Sequence, residues 1–329
     1  MNKQTPVVYP WLQSYWEQLS RYQQQDRLPS GIMLVADKGL GLSSFAVAFA
    51  NRVVCLSSNS NEFACGTCKS CLLFSAGNYP DFIHLQPAEG EARIKIDAIR
   101  KLSESLALSS QYAKPRIVII DPASAMLHQA SNSLLKTLEE PSDNTSLILL
   151  ADKISSIPAT IRSRCQVISV KGVDLEQAEH WLKSKGCDDA MQYLNLAVHL
   201  PLEAHDLWKK DALAVRAEIF KHFVSLVKGK LDPLVFAEKC LALKDWPIQK
   251  WIMSWLTDAI KEVNDSSTIK LINPDFKADL NVLKEKLDLR SRYALLDKLT
   301  ELMGLQSSPL NQQLLLEDFA IQCYSLTVK

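Results

Sequence analysis

The sequence has no excess of charge of either sign, since 37 lysine and arginine residues balance 37 aspartate and glutamate residues. A protein that binds nucleic acid without partner proteins needs a basic face, because contacts to phosphate groups supply most of the affinity. The charge balance therefore disfavours a nucleic-acid binder that works without partners.

Long apolar runs are also missing. No stretch approaches the roughly 18 residues that a membrane span requires, and no hydrophobic signal segment occupies residues 1–12. We therefore expect a cytoplasmic protein with no membrane contact, in a compartment that keeps thiols reduced. The six histidines show no H-E-x-x-H or other paired spacing, which argues against a histidine metal centre.

Cysteine, by contrast, is concentrated in one short segment. Four of the eight cysteines lie between residues 55 and 71, and Gly66 sits in a C-x-x-C knuckle where a positive φ can fold two thiolates onto one ion. The pattern predicts a structural Zn²⁺ site with no open coordination position; a disulfide pair, inert core thiols and an iron–sulfur cluster are the alternatives. The predicted ligands are Cys55, Cys65, Cys68 and Cys71.

The chain changes character near residue 170. Before it, short β-rich runs alternate with helical patterns, which predicts an α/β domain with a mostly parallel sheet. After it the pattern is helical to the end, with a break at Pro201. We predict three domains, at residues 1–171, 172–205 and 206–329. The predicted strands are 32–36, 82–85, 117–120, 147–151 and 167–170, and the predicted helices between them are 45–54, 96–106 and 126–138.

A degenerate phosphate-binding loop follows the first predicted strand. Residues 36–43 fit the frame G-x-x-x-x-G-K-[ST], but Ala36 replaces the first glycine and Leu42 replaces the lysine. Loss of that lysine cation should weaken nucleotide binding by roughly ten- to a hundredfold. An ordinary strand–turn–helix is the alternative. The loop residues concerned are Gly39, Gly41, Leu42 and Ser43.

A second partial motif ends the third predicted strand. Asp121 follows an apolar run, as in a strand whose acid holds magnesium, but Pro122 stands where an ATPase needs a second carboxylate. With the loop degenerate, a helix or turn cap is the favoured role of Asp121, and magnesium binding is the alternative. We therefore expect no ATP in this chain's own site; a catalytically competent ATPase that uses Lys38 and Asp121 is the alternative.

Two further motifs make a family recognisable. Residues 134–141 read L-L-K-T-L-E-E-P and residues 163–165 read S-R-C. With the four-cysteine cluster ahead of them, they resemble the clamp-loader subunits of bacterial DNA polymerase III, which are AAA+ ATPases. Residues 311–318 resemble the last collar helix of these proteins, so the resemblance covers nearly the whole chain. The missing lysine separates the chain from the ATP-binding gamma/tau subunits.

The resemblance implies an AAA+ core at 1–171, a small helical lid at 172–205 and an all-α collar at 206–329. It also implies a five-membered ring with gamma/tau and delta subunits, which opens the sliding clamp and sets it on primed DNA. The gamma-type lid carries a Gly-Ser-x-Arg turn whose arginine senses ATP, whereas residues 199–202 contain no arginine and Leu202 stands in its place.

Arg164 of S-R-C matches the family's arginine finger, which reaches the nucleotide of a neighbouring subunit, so a subunit without its own site can complete another's. The alternative is an arginine in a local ion pair, and Arg162 is a second-rank candidate for the finger. The leading functional hypothesis is a non-hydrolysing, activating clamp-loader subunit. A gamma-type ATPase and a stand-alone zinc-containing nucleic-acid binder are the alternatives.

Overall fold

The computed structural model describes residues 7–57, 63–107, 114–243, 246–261, 271–305 and 312–327. They form two compact units: one runs to Gly186 and includes Leu200–Leu202, and the other comprises Cys187–His199 and the chain from Glu203 onward. The division into core, lid and collar stays a prediction. Residues 58–62 of the cysteine segment and Asn311 of the collar motif lie outside the described residues.

The first unit is built on a five-stranded sheet in which all neighbouring strands are parallel, in the order β2-β3-β4-β1-β5. Each strand lies within two residues of its predicted bounds, and the predicted α/β fold with a mostly parallel sheet is confirmed. The strands are β1 Gly31–Val35, β2 Phe82–Leu85, β3 Arg116–Ile120, β4 Thr145–Ala151 and β5 Gln166–Ser169.

The central strands are buried on both faces, which explains their continuous apolar sequences. Successive side chains of β3 point to opposite faces: Ile117 and Ile119 join one hydrophobic cluster, and Val118 and Ile120 join the other. Helices cover both faces. The helices of this half of the chain are α1 Gln13–Gln24, α2 Leu42–Val54, α3 Lys69–Ser75, α4 Ile96–Ala107, α5 His128–Glu139, α6 Ala159–Arg162 and α7 Leu175–Ser184.

The rest of the described chain is helical, as predicted. Asp232 and Asp288 cap helices by accepting backbone N–H groups, and Trp251 and Trp255 are buried in the core of the second unit. The helices are α8 Ala190–Leu196, α9 Pro201–Lys209, α10 Ala212–Val227, α11 Pro233–Ala242, α12 Ile248–Lys261, α13 Lys277–Lys286, α14 Leu289–Gly304 and α15 Gln312–Thr327. Among the described residues, no helix has the length and hydropathy of a membrane span.

Candidate functional site

The four predicted cysteine ligands come together at the carboxyl end of α2. Cys55 is the residue that ends α2, Cys65 and Cys68 lie in the knuckle, and Cys71 is in the first turn of α3. Gly66 has φ +74°, so the knuckle turns as its glycine predicts. All four sulfur atoms lie within 4.8 Å of one another. This cluster can hold a metal ion.

The sulfur spacing fits tetrahedral coordination. The Sγ atoms of Cys55 and Cys68 are 3.9 Å apart, as are those of Cys65 and Cys71. Four sulfurs at about 2.3 Å from a central zinc would be separated by about 3.8 Å, whereas a disulfide needs about 2.05 Å. The cysteines are free thiols with the dimensions of a tetrathiolate site.

Backbone amide groups surround the same sulfurs. The amide of Cys65 donates to Cys55 Sγ at 3.4 Å, and the amide of Cys68 donates to Cys65 Sγ at 3.3 Å. Hydrogen bonds from the amides of Thr67 and Cys68 lower the pKa of Cys65 to about 5. Such bonds favour the thiolate, which is the form that binds metal. Cys55 and Cys71 are buried, and Cys65 faces solvent.

The predicted degenerate loop, residues 36–43, leads directly into α2. Gly41 precedes the helix with φ +82°, and Leu42 is the first helical residue. The hydroxyl of Ser43 donates to Asp121 Oδ2 at 2.6 Å, and His84 Nε2 lies 3.4 Å from the same oxygen. Burial opposes ionisation of Asp121, but the contacts with His84 and Ser43 outweigh it and lower the pKa of this carboxyl. Ser43 and Asp121 therefore satisfy each other directly.

Three aromatic side chains, which we call the aromatic cover, lie over this loop. They are Tyr9, Trp11 and Trp181. The rings of Tyr9 and Trp11 stack 5.0 Å apart, and both meet the ring of Trp181 edge to face. The indole N–H of Trp11 donates to the carbonyl oxygen of Leu40 at 2.9 Å, which fixes the cover to the loop.

The cover leaves no room at Gly41. A β-carbon added there would clash with the ring of Tyr9 and lie 3.3 Å from Leu202 Cδ1. The amide of Leu202 donates to the carbonyl oxygen of Gly39 at 3.2 Å. In phosphate-binding loops the ligand lies against the backbone of the glycine-bearing turn. Here the protein's own side chains lie against that turn.

Lys38 points away from this turn. Its ammonium group lies 3.4 Å from Asp152 Oδ2, and its side chain is 81% exposed. In this conformation it does not take the place of the missing lysine.

Arg164 lies next to the end of α5, in contact with the L-L-K-T-L-E-E-P motif. Its Nη2 is 2.5 Å from Glu139 Oε1, and Nη1 donates to the carbonyl oxygen of Thr160 at 3.0 Å and the hydroxyl of Ser163 at 3.3 Å. The Arg164 side chain is 37% exposed. By contrast, Nε of Arg162 is buried and has no hydrogen-bond partner among the described residues. Of the two arginines, Arg164 is exposed and Arg162 is half-buried.

The parallel sheet, the helical second unit and the four-cysteine cluster are the features that the resemblance to clamp-loader subunits of DNA polymerase III implied, and the family models place the chain in this class. The family model described as "DNA polymerase III, delta subunit" matches residues 11–174, and "DNA polymerase III, delta subunit, C terminal" matches residues 210–324.

Comparison with individual proteins narrows this class. DNA polymerase III subunit delta' of Haemophilus influenzae is 32% identical over 78% of each chain, and that of Pseudomonas aeruginosa is 29% identical over 97% of this chain and 98% of the relative. DNA polymerase III subunit tau of Salmonella typhimurium is 23% identical over 88% of this chain and 43% of its own. The chain belongs to the DNA polymerase III subunit delta' family.

Proposed function

We propose that this chain is a non-hydrolysing subunit of the DNA polymerase III clamp loader. It helps to place the sliding clamp on primed DNA, within a five-membered ring that contains gamma/tau and delta subunits. It binds no ATP in its own degenerate loop and completes the ATPase site of a neighbouring subunit with Arg164. Family membership supports the complex, and the geometry of the loop supports the division of labour.

The aromatic cover is the observation on which the proposal rests. Leu42 removes the cation that would meet the phosphates, and the ring of Tyr9 lies on Gly41 where a phosphate would approach. Ser43 and Asp121, which in an active site would face magnesium, are bonded to each other at 2.6 Å. The loop therefore lacks the phosphate-binding cation and the space for a phosphate at Gly41. The two side chains that would face magnesium bond to each other instead.

The gamma-type ATPase alternative receives less support from the same geometry. It requires Lys38 to serve the phosphates, whereas Lys38 pairs with Asp152 in solvent. The stand-alone nucleic-acid binder is disfavoured by the balanced charge.

Arg164 is suited to act in trans because its guanidinium remains partly exposed while three contacts orient it. A guanidinium presented across a subunit boundary can stabilise the charge that develops on the transferred phosphoryl group. The local ion pair with Glu139 and the role in trans do not exclude each other, since arginine carries five N–H donors.

The zinc ion belongs to the same proposal as a structural cofactor. Four cysteine ligands would hold it with no coordination position left for substrate. Zn²⁺ would join the carboxyl end of α2 to the knuckle and to α3, in a stretch where Leu56, Phe63 and Leu72 are exposed. We place the protein in the cytoplasm, where the thiols stay reduced.

Titration of the isolated chain with a fluorescent ATP analogue tests the proposal. We expect no saturable binding at micromolar concentrations and no ATP hydrolysis, with a gamma/tau subunit from the same organism as the positive control. A micromolar dissociation constant for this chain would contradict the proposal, and measurable turnover would favour the gamma-type ATPase.

A further inference from the structure

The contact between Arg164 and Glu139 joins the two motifs that carry the family resemblance. Glu139 is the last residue of α5, and Arg164 lies between α6 and β5, 25 positions further along the chain. Their side chains are 48% and 37% exposed, so burial does not force them together.

A carboxylate at the carboxyl end of a helix is stabilised when a cation lies close to it. The carboxyl end of a helix carries partial negative charge, which disfavours Glu139 at this position and favours cations. Arg164 supplies such a cation at 2.5 Å. The next residue, Glu140, also lies at this helix end and is exposed, but has no ion pair among the described residues. Of these two neighbouring carboxylates, Glu139 binds the Arg164 cation, and Glu140 binds no cation within the described residues.

The contacts of Arg164 fix the plane of its guanidinium. Nη1 donates to Thr160 and Ser163, and Nη2 meets Glu139. Of the five N–H donors of arginine, these contacts leave the Nε–H and one N–H of Nη2 free of partners within the described residues. An arginine held in this way keeps donors for an external oxyanion and loses much of its rotational freedom before that oxyanion arrives.

The backbone below Arg164 is also held closely. Gly31, the first residue of β1, allows this approach: a β-carbon there would lie 3.0 Å from the carbonyl oxygen of Arg164 and 3.2 Å from Cys165 Sγ. Arg164 is thus held at its guanidinium by Glu139, and its backbone lies closely against the start of β1.

We propose that Glu139 is a positioning residue that holds the Arg164 guanidinium in the orientation in which it meets the phosphate of a neighbouring subunit. This inference rests on the proposed role of Arg164 in trans. Glu139 does not touch the nucleotide in this account and acts only through Arg164.

The test uses the complex assembled from this chain and the other clamp-loader subunits of its own organism, with subunit composition verified for every variant. The readout is ATPase activity stimulated by the clamp and primed DNA. Glu139→Gln removes the charge at nearly constant size, Glu140→Gln is the matched control, and Arg164→Ala defines the share of the rate that depends on the finger. We expect Glu139→Gln to lower that share by about two- to fivefold, the range typical of a partly exposed ion pair, and Glu140→Gln to leave it unchanged.

The double variant separates positioning from a general structural effect. If Glu139 acts through Arg164, Glu139→Gln should change nothing further in the Arg164→Ala background. An additional loss there, or parental activity of Glu139→Gln while Arg164→Ala is impaired, would overturn the inference and leave the finger intact. A faster Glu139→Gln complex would also overturn it, because Glu139 would then restrain the arginine. Parental activity of Arg164→Ala would instead overturn the proposed function itself.

Discussion

The variant Tyr9→Ala tests most directly whether the aromatic cover stabilises the closed loop. Tyr9 forms two ring pairs, with Trp11 at 5.0 Å and with Trp181 at 5.6 Å. Pairs of this kind contribute about 0.5–1.5 kcal/mol each beyond their buried area, so the variant should lose about 1–3 kcal/mol of unfolding free energy. For a domain of this size, the unfolding midpoint falls by about 2–4 °C for each kcal/mol of unfolding free energy that is lost. The unfolding midpoint of the first unit should therefore fall by about 2–12 °C.

Scanning calorimetry of the full chain measures this change, because it resolves transitions of different parts of the protein. Tyr293→Ala is the matched control, since Tyr293 lies in the second unit and is 52% exposed. We expect the control to stay within about 0.5 kcal/mol of the parent, as is usual for surface substitutions. If Tyr9→Ala unfolds at the same temperature as Tyr293→Ala, the aromatic cover does not stabilise the loop and the reasoning fails.

Four further outcomes follow from the site. The reduced protein, purified without chelators, should contain about one zinc per chain by elemental analysis, and Cys68→Ser should lose the zinc while the core still unfolds cooperatively; zinc-free parental protein would contradict this. Leu42→Lys alone should bind no fluorescent ATP analogue, whereas Leu42→Lys with Tyr9→Ala should bind it weakly; equal binding by both variants would mean that the cover is no barrier. Gly31→Ala should lower thermal stability, because its methyl group meets the Arg164 carbonyl oxygen at 3.0 Å; an unchanged midpoint would count against this close contact. The pKa of Asp121 is lowered in the folded protein, so this carboxylate stabilises the fold above its unfolded pKa of about 3.9, and the contribution disappears as the pH falls through the folded value. Asp121→Asn should therefore lose less stability than the parent on acidification. If urea titrations show the same loss of unfolding free energy at low pH for both proteins, this expectation is refuted.

The fold was predictable because its signals are local. The strands of the sheet are short apolar runs bounded by turns, and the helices between them repeat apolar residues at helical spacing. The cysteine cluster was equally visible, since Gly66 and the C-x-x-C spacing dictate the knuckle. For both the sheet and the cysteine cluster, the local sequence pattern was enough to predict the structure.

The contacts that define the site were not predictable, because they join residues far apart in the chain. Nothing in the sequence near Tyr9 indicates that its ring lies on Gly41 or meets Trp181. Trp181 is only partly buried, and its ring meets the ring of Tyr9 over the loop. In the same way, Arg164 and Glu139 were recognised in separate motifs, but their contact depends on how α5 and β5 are packed. Alternatives that the sequence left open, such as Lys38 in the role of the missing lysine, depend on side-chain direction.

In the proposed function, a chain with a closed nucleotide loop serves the active site of another subunit. The direct test is ATPase activity, stimulated by the clamp and primed DNA, of a complex that contains Arg164→Ala, with Arg164→Lys as the companion variant. An arginine finger contributes about 10³- to 10⁵-fold at its own site. A ring with several sites should lose only the part of the rate that depends on this interface.

We expect a lower stimulated rate for Arg164→Ala at unchanged zinc content, thermal stability and subunit composition. Arg164→Lys should rescue the rate poorly, because an ammonium cannot reproduce the planar fork of the guanidinium. If the Arg164→Ala complex hydrolyses ATP and places clamps on DNA at the parental rate, Arg164 is a structural arginine paired with Glu139 and the claim is wrong.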